Sequence, residues 1–329
     1  MLGKPCIPLG VIALLANMAA PACAQGAGGA LAYVSNERGN SVTVIDIAAG
    51  KPVATWPVGH RPRGIAVARD GKTLLVAAGQ DSAVEMRDMA DGHLIAALPS
   101  GQDPEQFFPS RDGRLLFASN EDDAAVTAID VAGRSVAWQV PVGKDPEGVT
   151  QSPDGRLLVV TSEDNNVLTW IDVASQKVIE TTPTAARPRH VEFTPDGREM
   201  WSAAEMGGVV QVFDPSTRKV VGQIAFAPPG VPAIKVMPCG IRFSRDGRTA
   251  VVALGRANAI AVVDVAARQV RGYVRVGGRP WHLALAGGDS IALVANGTTN
   301  DVSIVDLASL SVKATVPAGE APWGVAIAP

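Results

Sequence analysis

The chain has 329 residues, a net charge of −3 and 19% charged residues, enough length for one large domain or two ordinary ones. The acidic balance argues against a nucleic-acid-binding protein, which would carry a basic field. Gly (34) and Pro (24) are raised but stay below the level of low-complexity disorder, and aromatics are scarce at 5%.

The chain opens on an expected secretory leader, residues 1–24. Lys4 supplies the positive start, Ile7–Ala20 is an apolar run too short to span a bilayer, and Ala22-Cys23-Ala24 fits a small-residue cleavage site. An uncleaved anchor, or a lipoprotein beginning at Cys23, are the alternatives. Residues 25–31 read as a flexible tether. No later stretch is apolar for 18 residues, so no membrane span is expected after cleavage. Of the three cysteines only Cys239 lies beyond the leader, so an intramolecular disulfide is excluded. No Cys/His spacing suits zinc or a c-type haem, and neither a cofactor nor a metal is expected.

From residue 32 onward the dominant signal is an internal repeat. Anchor prolines fall at Pro62, Pro104, Pro146, Pro188, Pro238, Pro280 and Pro322, 42 residues apart except for one step of 50. An Asp closing a β-branched run falls at Asp46, Asp88, Asp130, Asp172, Asp214, Asp264 and Asp306, again with one step of 50. Both ladders place an insertion between Asp214 and Pro238, covering Ala225–Lys235 (AFAPPGVPAIK), whose prolines predict a stiff projection. A third ladder is the Asp-Gly turn at Asp70, Asp112, Asp154, Asp196 and Asp246. Each repeat reads as four short strands: EGVTQS, LLVVTS, VLTWID and KVIETTP in the third. The last repeat supplies one strand, GVAIA, and the first residues supply three, LAYVSN, SVTVID and KPVATWPV. The expected fold is therefore all-β over 32–329. It is a seven-bladed β-propeller of four-stranded antiparallel blades, its ring closed by one C-terminal and three N-terminal strands.

Ala32-Tyr33-Val34-Ser35-Asn36, Ser41–Asp46 and Pro62–Val67 resemble the YVTN family of propeller repeats. Over the whole chain the sequence is similar to the PQQ-dependent catabolism-associated β-propeller proteins. That resemblance implies export to the periplasm and an accessory role beside transport and quinoprotein alcohol oxidation. It carries no catalytic residue set, and the Trp-docking motifs of PQQ-binding propellers are absent.

Strand order puts the loops around the anchor prolines on one face, the upper. Charged and aromatic residues recur there: Arg61 and Arg63, Asp103 and Glu105, Asp145 and Glu147, Arg187, Arg189 and His190, Cys239, Arg279, Trp281 and His282, and Trp323. Signs alternate by sector, which suits a polar ligand or a charged protein patch; solvated loop ends with incidental pairing are the plainer reading. Further in, the fourth residue after each anchor proline should lie at one depth in the channel: Ala66, Phe108, Thr150, Glu192, Arg242, Ala284 and Ala326. A Glu192–Arg242 pair is expected there, with His190 on the same strand face.

Two function classes follow. The first is a non-enzymatic periplasmic scaffold holding a protein of a quinoprotein oxidation or transport system, or a small polar ligand. The second is a lactonase-like hydrolase at the channel mouth with Glu192, His190 and Arg242 as its core. A cell-envelope structural protein is a third reading.

Overall fold

The structure, a computed structural model, describes Met1 and residues 30–328. The expected leader (Met1 apart) and tether residues 25–29 lie outside the described residues. Seven four-stranded antiparallel sheets are arranged as the repeat ladders require. Blade one pairs Pro322–Ile327 with Leu31–Asn36, followed by Ser41–Asp46 and Lys51–Pro57, so the ring closes with one late strand and three early ones. Blades two to seven follow in chain order, their inner strands being Pro62–Val67, Pro104–Pro109, Pro146–Gln151, Pro188–Phe193, Ile241–Phe243 and Pro280–Ala286. The first strand starts at Leu31, one residue inside the expected tether, because Leu31 pairs with Asp46.

The ladders mark positions with definite work. Six of the inner strands begin on the anchor proline itself, where a missing N–H interrupts little of the ladder. Each ladder Asp ends its third strand and accepts backbone N–H bonds from the turn that follows, as Asp46 does from Ala49 at 2.9 Å and Asp130 from Gly133 at 2.7 Å. In the Asp-Gly turns the Gly supplies a positive φ, +64° at Gly71 and +77° at Gly155. Asp70 and Asp154 accept the N–H two residues on.

Second and third strands are buried on both faces and pack against the neighbouring blades, which is why they read as continuous apolar runs. Outer strands bury one side chain deeply, such as Trp56, Leu98 or Val316. Each fully buried Leu, Ile or Val contributes about 1.5–3 kcal/mol against exposure. Hydroxyls on second strands also tie blades together: Ser35 donates to the carbonyl of Arg63 on blade two at 2.6 Å and accepts from Gly324 N–H at 3.0 Å.

Candidate functional site: one channel, two faces

In six blades the inner strand slips register just after the anchor proline, between Pro62 and Ile65, Pro104 and Phe107, and at the equivalent places. A bulge re-aims side chains. Here the residue after the proline turns sideways toward adjacent blades, and the next one faces the axis. That second position alternates around the ring as Gly64, Gln106, Gly148, His190, Gly240, His282 and Gly324. The glycines are sterically required. A Cβ on Gly148 would lie 2.8 Å from the carbonyl of Arg189, and one on Gly240 2.8 Å from that of Trp281.

The three larger side chains fill the axis. Gln106 Oε1 lies 3.3 Å from His190 Nδ1, and its Nε2 lies 3.4 Å from His282 Nε2. The two imidazoles meet edge to face at 5.2 Å, and His282 packs on Trp323 at 4.1 Å. Sequence reasoning missed Gln106. The alternation of glycine with a larger polar residue at this position was the available signal.

Below this constriction the Glu192–Arg242 pair forms, with Arg242 Nη1 2.6 Å from Glu192 Oε2 and 3.3 Å from His190 Nε2. His190 Nε2 is 3.3 Å from the same carboxylate oxygen. All seven residues of the expected equal-depth series line the lower openings, two cavities of about 620 and 350 Å³ that share Arg242. The triad therefore opens to the lower face and is cut off from the upper rim by the constriction. Burial pushes the His190 imidazole below its ordinary value despite the Glu192 contact, and burial with the neighbouring His190 does so more strongly for His282. For Glu192 burial opposes ionisation, but Arg242 and His190 outweigh it and hold the carboxyl low. At neutral pH the site is a carboxylate, a guanidinium and neutral imidazoles.

Above the constriction the charged residues differ from the open alternating rim read from sequence. Glu105, Glu147, Arg189 and Trp323 are buried because the bulge turns the residue after the proline inward; His190 and His282 are buried in the constriction itself, and Cys239 is buried on the blade that has no slip. Arg61 and Arg63 both bind Glu105, and Arg61 also binds Asp103. Arg189 meets Glu147 at 3.1 Å, Glu163 at 2.9 Å and Glu205 at 3.0 Å. Arg187 joins Glu163 at 2.6 Å. Burial, then the Glu147 carboxylate, push Glu163 up to about 8. Asp145 is raised by burial and by Asp164. The Cys239 thiol is pushed up by burial, which removes the thiolate a nucleophile or metal ligand needs. Asp103, Glu105 and Glu121 come within 4.8 Å of one another, a spacing a cation could bridge, but Arg61 and Arg63 already supply the positive charge there. The guanidinium groups of Arg189 and Arg279 lie over the Trp281 ring, 4.9 and 4.2 Å from its centroid.

A family model described as "Lactonase, 7-bladed beta-propeller" matches residues 174–315, a span that includes His190, Glu192, Arg242 and the insertion. No curated protein matches. Among solved structures, Kuenenia stuttgartiensis hydrazine synthase is 20% identical at a TM-score of 0.76, covering 84% of this chain and 92% of that one. Two Bacteroides proteins are each described as a "putative 6-phosphogluconolactonase". That of B. fragilis NCTC 9343 is 17% identical at a TM-score of 0.75, covering 91% of this chain and 98% of its own. That of B. uniformis ATCC 8492 is 16% identical at 0.73, covering 91% and 99%. These likenesses concern the fold. The chain is a seven-bladed β-propeller whose later blades match the lactonase propeller model.

Proposed function

We propose that the protein is a lactonase-like hydrolase that opens a cyclic ester in the lower vestibule. The observation that carries this reading is the contact of Arg242 Nη1 with both Glu192 and His190 on the wall of the cavity of about 350 Å³. The lactonase match across all three residues supports it.

Ring opening needs an activated water, a polarised carbonyl and a proton for the departing ring oxygen. With its Nδ1–H donated to Gln106 Oε1, neutral His190 keeps its lone pair at Nε2, where it accepts from Arg242 Nη1 at 3.3 Å; once Arg242 turns to the substrate carbonyl, that lone pair takes a proton from water. Glu192, 3.3 Å away, stabilises the imidazolium that forms. Arg242 faces the developing oxyanion. His190 then returns its proton to the ring oxygen, giving the hydroxy acid.

The test is pH-stat hydrolysis of aldonolactones, with and without a 6-phosphate. Glu192→Gln should lower kcat by at least about 100-fold with its melting temperature nearly unchanged. The acid limb of the wild-type profile should lie below the ordinary imidazole value, because burial lowers His190. Equal rates for wild type and Glu192→Gln would reject the reading.

A second reading rests on the leader-like start and the repeat resemblance: export to the periplasm as an accessory of quinoprotein alcohol oxidation. Cells grown on an alcohol should then yield a quinoprotein dehydrogenase, cytochrome or transport protein in a periplasmic pull-down. Recovery of none of these would remove the reading.

A further inference from the structure

The upper face is closed by ion pairs over blades two to five and open over blades six, seven and one. A pocket of about 630 Å³ lies in the open sector. Arg38, Lys235, Arg256 and Arg279 line it, against the carboxylates of Glu37 and Glu320. Glu37 is already held by Arg63 at 2.9 Å, and Arg279 by Glu205 at 2.7 Å. Among the described residues, the side chains of Arg38, Lys235 and Arg256 have no ion-pair or hydrogen-bond partner. Three free cations thus face one free carboxylate, Glu320, in a chain whose net charge is −3.

The insertion builds one wall. Phe226, Val236 and Met237 are buried, and Ala227 N–H donates to Tyr273 Oη at 2.7 Å. The short 3-10 turn Ala233–Lys235 packs on the turn Gly255–Ala257, which bears Arg256. The insertion is therefore anchored, and it delivers Lys235 to the pocket. Neutral donors complete the wall. Asn258 and Asn300 accept backbone N–H bonds from Arg279 and Ala321 through Oδ1, which leaves both carboxamide N–H2 groups free to donate. Gly297 leaves the Trp281 indole N–H edge open, since a Cβ there would sit 2.5 Å from Nε1. Burial, with Arg189 and Arg256 close by, pushes Arg279 below its ordinary value, a crowding that a bound anion would relieve.

We propose that this pocket is a binding site for a small multivalent oxyanion, a molecule carrying two or more carboxylate or phosphate groups. The site is separate from the lower vestibule, because Gln106, His190 and His282 close the axis between them.

The test is isothermal titration at low ionic strength with citrate and with pyrophosphate, and acetate as the monovalent control. Wild type should bind one equivalent of at least one multivalent probe, more weakly in 0.5 M salt as screening requires. The tighter probe identifies the anionic group as carboxylate or phosphate. Lys235→Gln with Arg256→Gln should raise Kd at least tenfold, about 1.4 kcal/mol. Arg114→Gln with Arg156→Gln removes the same charge from exposed lower turns and should leave Kd within about twofold. Absence of millimolar binding by both probes, or equal weakening in the two double variants, would overturn the proposal.

Discussion

Two sectors of the upper face use the same repeat positions to opposite ends. Over blades two to five, Arg61 and Arg63 meet carboxylates of the following blade, and Arg187 and Arg189 meet those of the preceding one. Over blades six, seven and one, the anchors are flanked by Met237 and Cys239, Arg279 and Trp281, and Ala321 and Trp323. Among the described residues no carboxylate directly flanks these anchors; Arg279 is held by Glu205, while Arg38, Lys235 and Arg256 nearby remain unpaired. Whether a charged repeat position becomes structure or an open site is thus decided by its neighbour one blade away.

The paired sector should break most severely at Arg189. Arg189→Met leaves Glu147, Glu163 and Glu205 facing one another under burial, and should cost about 3–5 kcal/mol in urea unfolding. A loss below about 1 kcal/mol would show that the network adds little to stability.

Glu163 sharpens the comparison through pH. The folded chain keeps a proton on Glu163 up to about 8, whereas the unfolded chain releases it near 4.5. The folded state binds the extra proton across that window, so this residue's contribution to stability falls as pH rises from 4.5 to about 8. Glu163→Gln cannot ionise. Its melting temperature relative to wild type should climb across the window and level off above it. A flat difference from pH 5 to 8.5 would show that Glu163 is ionised throughout.

The smallest effect on stability is expected from closing the open sector. Ala321 occupies the position of Asp103 and Asp145, and all three have positive φ, +55°, +54° and +49°. Asp accepts that conformation better than Ala, so Ala321→Asp should change stability by no more than about 1 kcal/mol. By adding a carboxylate beside the unpaired cations it should weaken citrate or pyrophosphate binding. Unchanged affinity would separate Ala321 from the pocket's electrostatics.

The ring closure could be read from the sequence because each ladder residue does a local job. A proline starts an inner strand, an Asp caps a turn, and a Gly after Asp takes positive φ, all dictated by the nearest few residues. The Glu192–Arg242 pair was legible for the same reason: equal offsets from equivalent prolines give equal depth in the channel. The exposure of the rim was not legible. A strand drawn without its bulge sends Glu105, Glu147 and Arg189 toward solvent, and the register slip after the proline turns them inward. Gln106 was missed because its role exists only through His190 and His282, 84 and 176 residues away.

The sequence by itself therefore determined the number of blades, their order and the closure of the ring, since these follow from periodic local chemistry. Only the tertiary structure decided which charges are consumed, that the channel is stopped at its middle, and that the insertion forms a wall. Those outcomes depend on contacts between blades, where a charge is buried with its partner or left facing water according to what the next blade presents.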